Sequence, residues 1–159
     1  MPRPPRLPGG VPPGADPAAD VASRRLVVEA DAGSRGDPGP AAYAAVLRDA
    51  ETGEVLNDEA LPLEVASDEV AEYAALVAGL EMARALDPAA TVEVRMDSRL
   101  VIDQLTASGR VRGPEPSTLA DRVQELRPAR ITWTWVPRDQ NAAGALVDAA
   151  LNGHPRTRR

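Results

Sequence analysis

Two stretches of this chain alternate apolar and polar residues with a period of two. TVEVRMD (91–97) sets Val92, Val94 and Met96 on one face, and ITWTWV (131–136) aligns Ile131, Trp133 and Trp135. A period of two is the mark of a strand with one buried face, so both tryptophans are expected in the core. Three further strands are predicted at Arg25–Asp31, Ala41–Arg48 and about Glu54–Leu63, the last two joined by the hairpin turn DAETGE. Between strands three and four, DEVAEYAALVAGLEMARAL predicts a helix over Asp68–Leu86, capped by Ser67 and favoured by Asp68 and Glu69 in its first turn. It is apolar nearly all round, which places it against a sheet. Shorter helices are predicted at Ser98–Thr106, Ser117–Leu126 and Ala143–Leu151, the last closed by Gly153. The order βββ, α, β, αα, β, α describes an α/β fold. Its three antiparallel strands lead into right-handed crossovers, which allow the first and fourth strands to be parallel neighbours.

Composition sets the limits of the domain. At 159 residues and 43% hydrophobic, the chain is sized for one core. Residues 1–23, rich in proline, glycine and alanine, have little to bury and are expected to form a disordered tail. The folded domain is expected over 24–153, and the basic end, GHPRTRR, is expected to fray over 154–159. No apolar run reaches the roughly 18 residues of a membrane span, and the N-terminus lacks the apolar segment of a secretory signal. The expectation is a cytoplasmic protein with no membrane partner.

What the chain lacks narrows its chemistry further. With no cysteine there are no disulfides, no thiolate nucleophile and no thiolate zinc site. The single histidine, His154, lies in the tail, which argues against a serine–histidine triad or a histidine-ligated metal. Carboxylates, hydroxyls, arginines and backbone remain. A formal charge of −6 argues against affinity won by coating nucleic acid with positive charge, yet leaves room for a local site. Every one of the 18 basic residues is arginine, a side chain suited to phosphate.

Asp31 and Asp97 end the first and fourth strands, and if those strands are parallel neighbours both acids stand at one carboxyl edge, where open α/β sheets bind ligands. Polar loops also place aspartates there by default. Glu72 lies about 180° from Glu81 around the helix; Arg84 marks the Glu81 side as the wet one, and Gly79 and Ala83 share the side of Glu72. An inward Glu72 would join the two aspartates; an exposed one would be an ordinary helix glutamate. Three gathered carboxylates repel one another and raise their own pKa values unless a cation intervenes. A hard divalent ion such as magnesium takes oxygen ligands. Two such ions about 4 Å apart activate a water and stabilise a leaving oxygen at a phosphodiester.

Four blocks, DAGSRGDPGPAAYAAVL, EVAEYAALVAGLEMA, VRMDSRLVIDQL and WVPRDQNAAGALVDAALN, occur in the order seen in type 1 ribonuclease H, and the chain resembles the short bacterial reverse-transcriptase-like members of that family over about Arg25–Asn152. The resemblance implies a mixed five-stranded sheet with helices on both faces. It also implies cleavage of the RNA strand of an RNA–DNA hybrid with Mg²⁺ or Mn²⁺. Asp31, Glu72 and Asp97 match the family's first three metal-binding, catalytic carboxylates. Gly33, Ser34, Asp37, Ser98, Arg138 and Asn141 fall at substrate-binding positions, with helix capping the alternative for the serines and Asn141. Glycines 33, 36 and 39, stiffened by Pro38 and Pro40, would let the backbone beside Asp31 approach a nucleic-acid strand.

Departures accompany the match. Gly144 stands where the family's fourth carboxylate is expected, and Asp148, about a turn further on, is the remaining candidate. Asp37 replaces an asparagine, Asp68–Glu69 replace an asparagine pair, Val111–Arg112 replace a Trp–Lys pair, and no histidine precedes the last helix. These changes imply a second reading: a weakened relative that keeps the fold and binds nucleic acid or protein. A third is another phosphoryl chemistry on the same scaffold.

Overall fold

The computed structural model describes residues 23–106, 111 and 113–159. Apart from Ser23, the expected N-terminal tail lies outside the described residues, as does Arg112. The elements are β1 (Arg25–Ser34), β2 (Gly39–Asp49), β3 (Val55–Ala66), α1 (Asp68–Leu86), β4 (Thr91–Met96), α2 (Arg99–Thr106), α3 (Pro114–Leu126), β5 (Ile131–Trp135) and α4 (Ala143–Leu151). A short 3₁₀ turn at Arg138–Gln140 precedes α4. The five strands are ordered β3-β2-β1-β4-β5. β1 and β3 flank β2 antiparallel, whereas β1, β4 and β5 run parallel, in line with the expected mixed sheet.

Helices cover both faces, so the central strands carry apolar residues on both sides. Even positions of β1, Leu26, Val28 and Ala30, join Ala45 and Leu47 of β2 beneath α1. Ala42, Ala44 and Val46 turn the other way and pack with Ala143, Val147 and Ala150 of α4. α1 lies so close to the sheet that a Cβ on Gly79 would run into Val28 Cγ1. The β2–β3 hairpin closes as expected: Asp49 Oδ1 accepts from the amides of Glu51 (2.8 Å) and Thr52 (2.9 Å), and Gly53 takes φ +74°.

Three expectations are corrected. α3 starts at Pro114 and not Ser117, because Gly113 (φ +92°) turns the chain and the proline ring is preset for a first helical turn. The C-terminal residues are not frayed. Arg156 pairs with Ala60 of β3 through two backbone hydrogen bonds (2.9 and 2.8 Å), and its side chain meets Asp58 at 2.9 Å. Arg158 bridges Glu59 (2.7 Å) and Glu81 (3.1 Å), so the tail straps the outer edge of β3. Trp133 packs against the main core, but Trp135 is 41% exposed. The two do share a face; β5 simply runs past the end of the core. The Trp135 indole donates to the Asp97 carbonyl at 3.1 Å and lies under the Arg99 guanidinium.

Candidate metal centre

Parallel pairing of β1 with β4 proceeds through Glu29 opposite Arg95, which carries Asp31 and Asp97 to the same edge two residues later. α1 enters above that edge. Its N-terminus is fixed by Ser67, whose Oγ accepts from the Val70 amide at 3.2 Å, and Glu72 follows on the inward side. Glu81 confirms the wheel by facing outward to Arg122 (3.5 Å) and Arg158. One carboxylate oxygen from each of Asp31, Glu72 and Asp97 lies within 4.8 Å of the others. The cluster expected from the sequence is therefore assembled.

Its electrostatics call for positive charge. Asp31 is 1% exposed, and both its oxygens, with Glu72 Oε2 and Asp97 Oδ1, are buried with no hydrogen-bond partner. Burial, then the nearby Asp97, raises the Asp31 pKa to about 7. Burial, then Asp31 and Asp97, raises Glu72 to about 9. Buried polar atoms are ordinarily paired, and oxygen-only donors with net negative charge suit a hard divalent ion. The residues fit such an ion and offer no soft ligand.

The turn after Asp31 is held by its own contacts. Arg35 donates its amide to the Pro40 carbonyl at 2.7 Å, and Gly36 takes φ +110°. Gly39 abuts the Arg35 carbonyl, and a Cβ on Gly33 would stand 3.2 Å from Val147 Cγ1 of α4. Close packing within the protein thus accounts for these glycines. Ser34 Oγ lies within hydrogen-bond reach of the Gly36 carbonyl and of Asp68 Oδ1 (2.6 Å), its single hydroxyl proton serving one or the other, and Asp37 Oδ1 accepts from the Asp68 amide at 3.2 Å. The acids that replace amides here tie the turn to the start of α1.

Of the remaining candidates, Ser98 caps α2 by accepting from the Val101 amide at 3.3 Å. Asn141 is buried, with Nδ2 donating to the Ala30 carbonyl (2.8 Å) and Oδ1 accepting from the Ala143 amide (3.0 Å). Capping is the role seen for it, since both ends of its amide are used internally. Glu29 had no sequence signal beyond an acid within an apolar run. It is buried, paired with Arg48, and accepts from the Ala142 amide at 2.7 Å, so it holds the start of α4 beside Asp31.

Gly144 occupies the place where a fourth acid would enter: a Cβ there would lie 3.2 Å from Asp31 Oδ2. Asp148 does not join the cluster. It is exposed and accepts from Arg138 Nη2 at 3.0 Å, while Arg138 Nε lies 3.4 Å from Asp31 Oδ2.

The mixed sheet, its two-sided helices and the three-acid edge define a ribonuclease H-like domain. The chain belongs to the family described as reverse transcriptase-like, whose model matches residues 29–149. It is 41% identical over 131 residues to the bifunctional protein Rv2228c of Mycobacterium tuberculosis, covering 80% of this chain and 36% of that protein. It is 37% identical over 127 residues to ribonuclease HI of Halobacterium salinarum, covering 77% of this chain and 62% of that one. The chain thus spans well under two thirds of the length of the first of these relatives.

Solved structures agree. The N-terminal RNase H domain of Rv2228c, fused to maltose-binding protein, superposes with TM-score 0.77 at 40% identity, covering 83% of this chain and 96% of that one. LC11-RNase H1 in complex with an RNA/DNA hybrid gives TM-score 0.74 at 29% identity, with coverage of 81% and 98%. Among the described residues, no helix is long and apolar enough to cross a membrane.

Proposed function

We propose that this chain is a cytoplasmic endonuclease that hydrolyses the RNA strand of RNA–DNA hybrids, with Mg²⁺ or Mn²⁺ held by Asp31, Glu72 and Asp97. One observation carries the reading: three carboxylates with buried oxygens that lack a hydrogen-bond partner gather at the carboxyl edge of a ribonuclease H fold. A bound divalent ion would lower the pKa of a water and offset charge on the phosphate. The chain supplies the rest. Asp31 and Asp97 are fixed by paired strands and Glu72 by a capped helix, so the donor oxygens need little reorganisation. Asn141 and Glu29 hold α4 against β1. Arg138, 3.4 Å from Asp31, and Ser34 and Ser98, which follow Asp31 and Asp97 closely in the chain, are the polar groups assigned to substrate in this reading. A hybrid duplex offers 2′-hydroxyls in its minor groove as the feature that distinguishes it from DNA.

In the two-cation form of the reaction, the second ion would find Asp31 but no acid at 144. That glycine favours the second reading, a weakened enzyme that still docks nucleic acid. A hybrid labelled on either strand, incubated with Mg²⁺ or Mn²⁺, tests both. Cutting of the RNA strand that is lost in Asp31→Asn and in EDTA supports the nuclease. Tight hybrid binding without cutting would support the weakened relative. Cutting of duplex DNA with the hybrid spared would overturn both.

A further inference from the structure

The side of Asp31 that faces α4 carries positive charge already. Arg138, in the 3₁₀ turn after β5, sets Nε 3.4 Å from Asp31 Oδ2. Its Nη2 lies 3.0 Å from Asp148 Oδ1, so the guanidinium sits between two acids. The space is shared with Gly144, since a Cβ on that residue would stand 3.2 Å from Asp31 Oδ2 and 3.5 Å from Arg138 Nε. A carboxylate at 144 would begin between the two groups. Its absence leaves the guanidinium next to Asp31 and leaves a second divalent ion without a protein ligand of its own.

The arginine is also half exposed, bordering an open groove lined by Glu29, Arg48, Asn141, Gly144 and Asp148. A guanidinium does not lose its proton in a protein, and its forked donors match phosphate oxygens. We infer that Arg138 takes the place of a second divalent cation in this chain. One ion is held by Asp31, Glu72 and Asp97, and the guanidinium, steadied by Asp148, presents the other positive charge to the reacting phosphate. This rests on the hydrolytic reading above.

The test counts ions as well as turnover. Mn²⁺ is titrated into metal-stripped protein, alone and bound to a hybrid whose RNA strand is blocked by 2′-O-methyl groups, and free Mn²⁺ is read by electron paramagnetic resonance. Cleavage of an unblocked hybrid is measured in parallel. Wild type is expected to bind one ion per chain in both states. Arg138→Ala is expected to bind that ion several-fold more tightly, because a neighbouring cation no longer repels it, while cleavage at saturating Mn²⁺ falls about 10²-fold. Arg138→Lys, which keeps a cation, is expected to fall between. Adding Gly144→Asp to Arg138→Ala is expected to raise the count to two with hybrid bound and to restore part of the cleavage.

Two ions on wild type would overturn the inference. So would an Arg138→Ala variant that loses ion affinity and cleavage together, as a purely structural arginine would. If wild type fails to cleave any hybrid, the nuclease reading falls, while the ion count and the sign of the affinity change still decide the role of Arg138.

Discussion

Replacing Glu72 with glutamine should stabilise the metal-free protein at neutral pH, and the gain should grow with pH. A carboxyl whose folded-state pKa is raised keeps its proton in the native state after the unfolded chain has released its own. Stability is then unaffected well below the unfolded value, falls as pH rises through the interval between the two values, and levels off above the folded one. For Glu72 that interval runs from 4.5 to about 9. At pH 7 the chain is 2.5 units into it, which at about 1.4 kcal/mol per unit amounts to about 3.5 kcal/mol.

Asp31, raised from 3.8 to about 7, acts in the same direction over a lower window. Glutamine keeps the shape of the protonated acid without the penalty of ionising. Urea unfolding in EDTA at pH 4.5, 6 and 7.5, followed by the fluorescence of Trp133 and Trp135, measures the difference. Wild type and Glu72→Gln should nearly coincide at pH 4.5 and diverge by about 4 kcal/mol at pH 7.5, with the variant the more stable. Saturating Mg²⁺ should stabilise wild type and have little effect on the variant, because ligand binding adds stability only to the state that binds. A variant that is less stable at every pH, or a gap that does not widen with pH, would refute the electrostatic account of the cluster.

Other substitutions probe the supports. Gly79→Ala should cost about 1–3 kcal/mol in thermal or urea unfolding, since its methyl runs into Val28 Cγ1 and α1 must lift from the sheet. Asn141→Ala should lose about 1–3 kcal/mol by stranding the buried Ala30 carbonyl, and should lower cleavage by loosening α4 beside Asp31; an unchanged unfolding midpoint would show the cap to be dispensable. Ending the chain at Gly153 should destabilise the fold by about 1–3 kcal/mol, because Asp58 and Glu59 then lie at an uncovered strand edge without their arginines; chromatography should show added self-association.

Strand alternation and an all-round apolar helix placed each element, because burial writes its period into sequence. They also made Asp31, Glu72 and Asp97 candidates for one cluster, since strand ends and a helical wheel are local geometry, while the family resemblance selected that arrangement over exposed acids. What stayed hidden depends on contacts distant in sequence. Asp37 meets Asp68 across 31 positions and Asn141 meets Ala30 across 111, so neither role follows from neighbours in the chain. Arg156 and Arg158 read as a solvated tail until their acids on β3 and α1 are in place. Trp135 fits the period of a core strand, yet no period tells how far the core extends.

The side chains of β1 divide their labour by parity. Leu26, Val28 and Ala30 face the α1 layer, whereas Glu29, Asp31 and Gly33 meet the start of α4 and the acidic edge. One ribbon of backbone therefore serves two tasks that touch few common atoms. A library randomising the even positions would retune thermal tolerance while leaving turnover near its starting level, whereas randomising the odd ones would strike both, because Val27 and Glu29 are buried and Glu29 and Gly33 meet α4. A protein engineer therefore has one dial for stability alone, on the even side of β1.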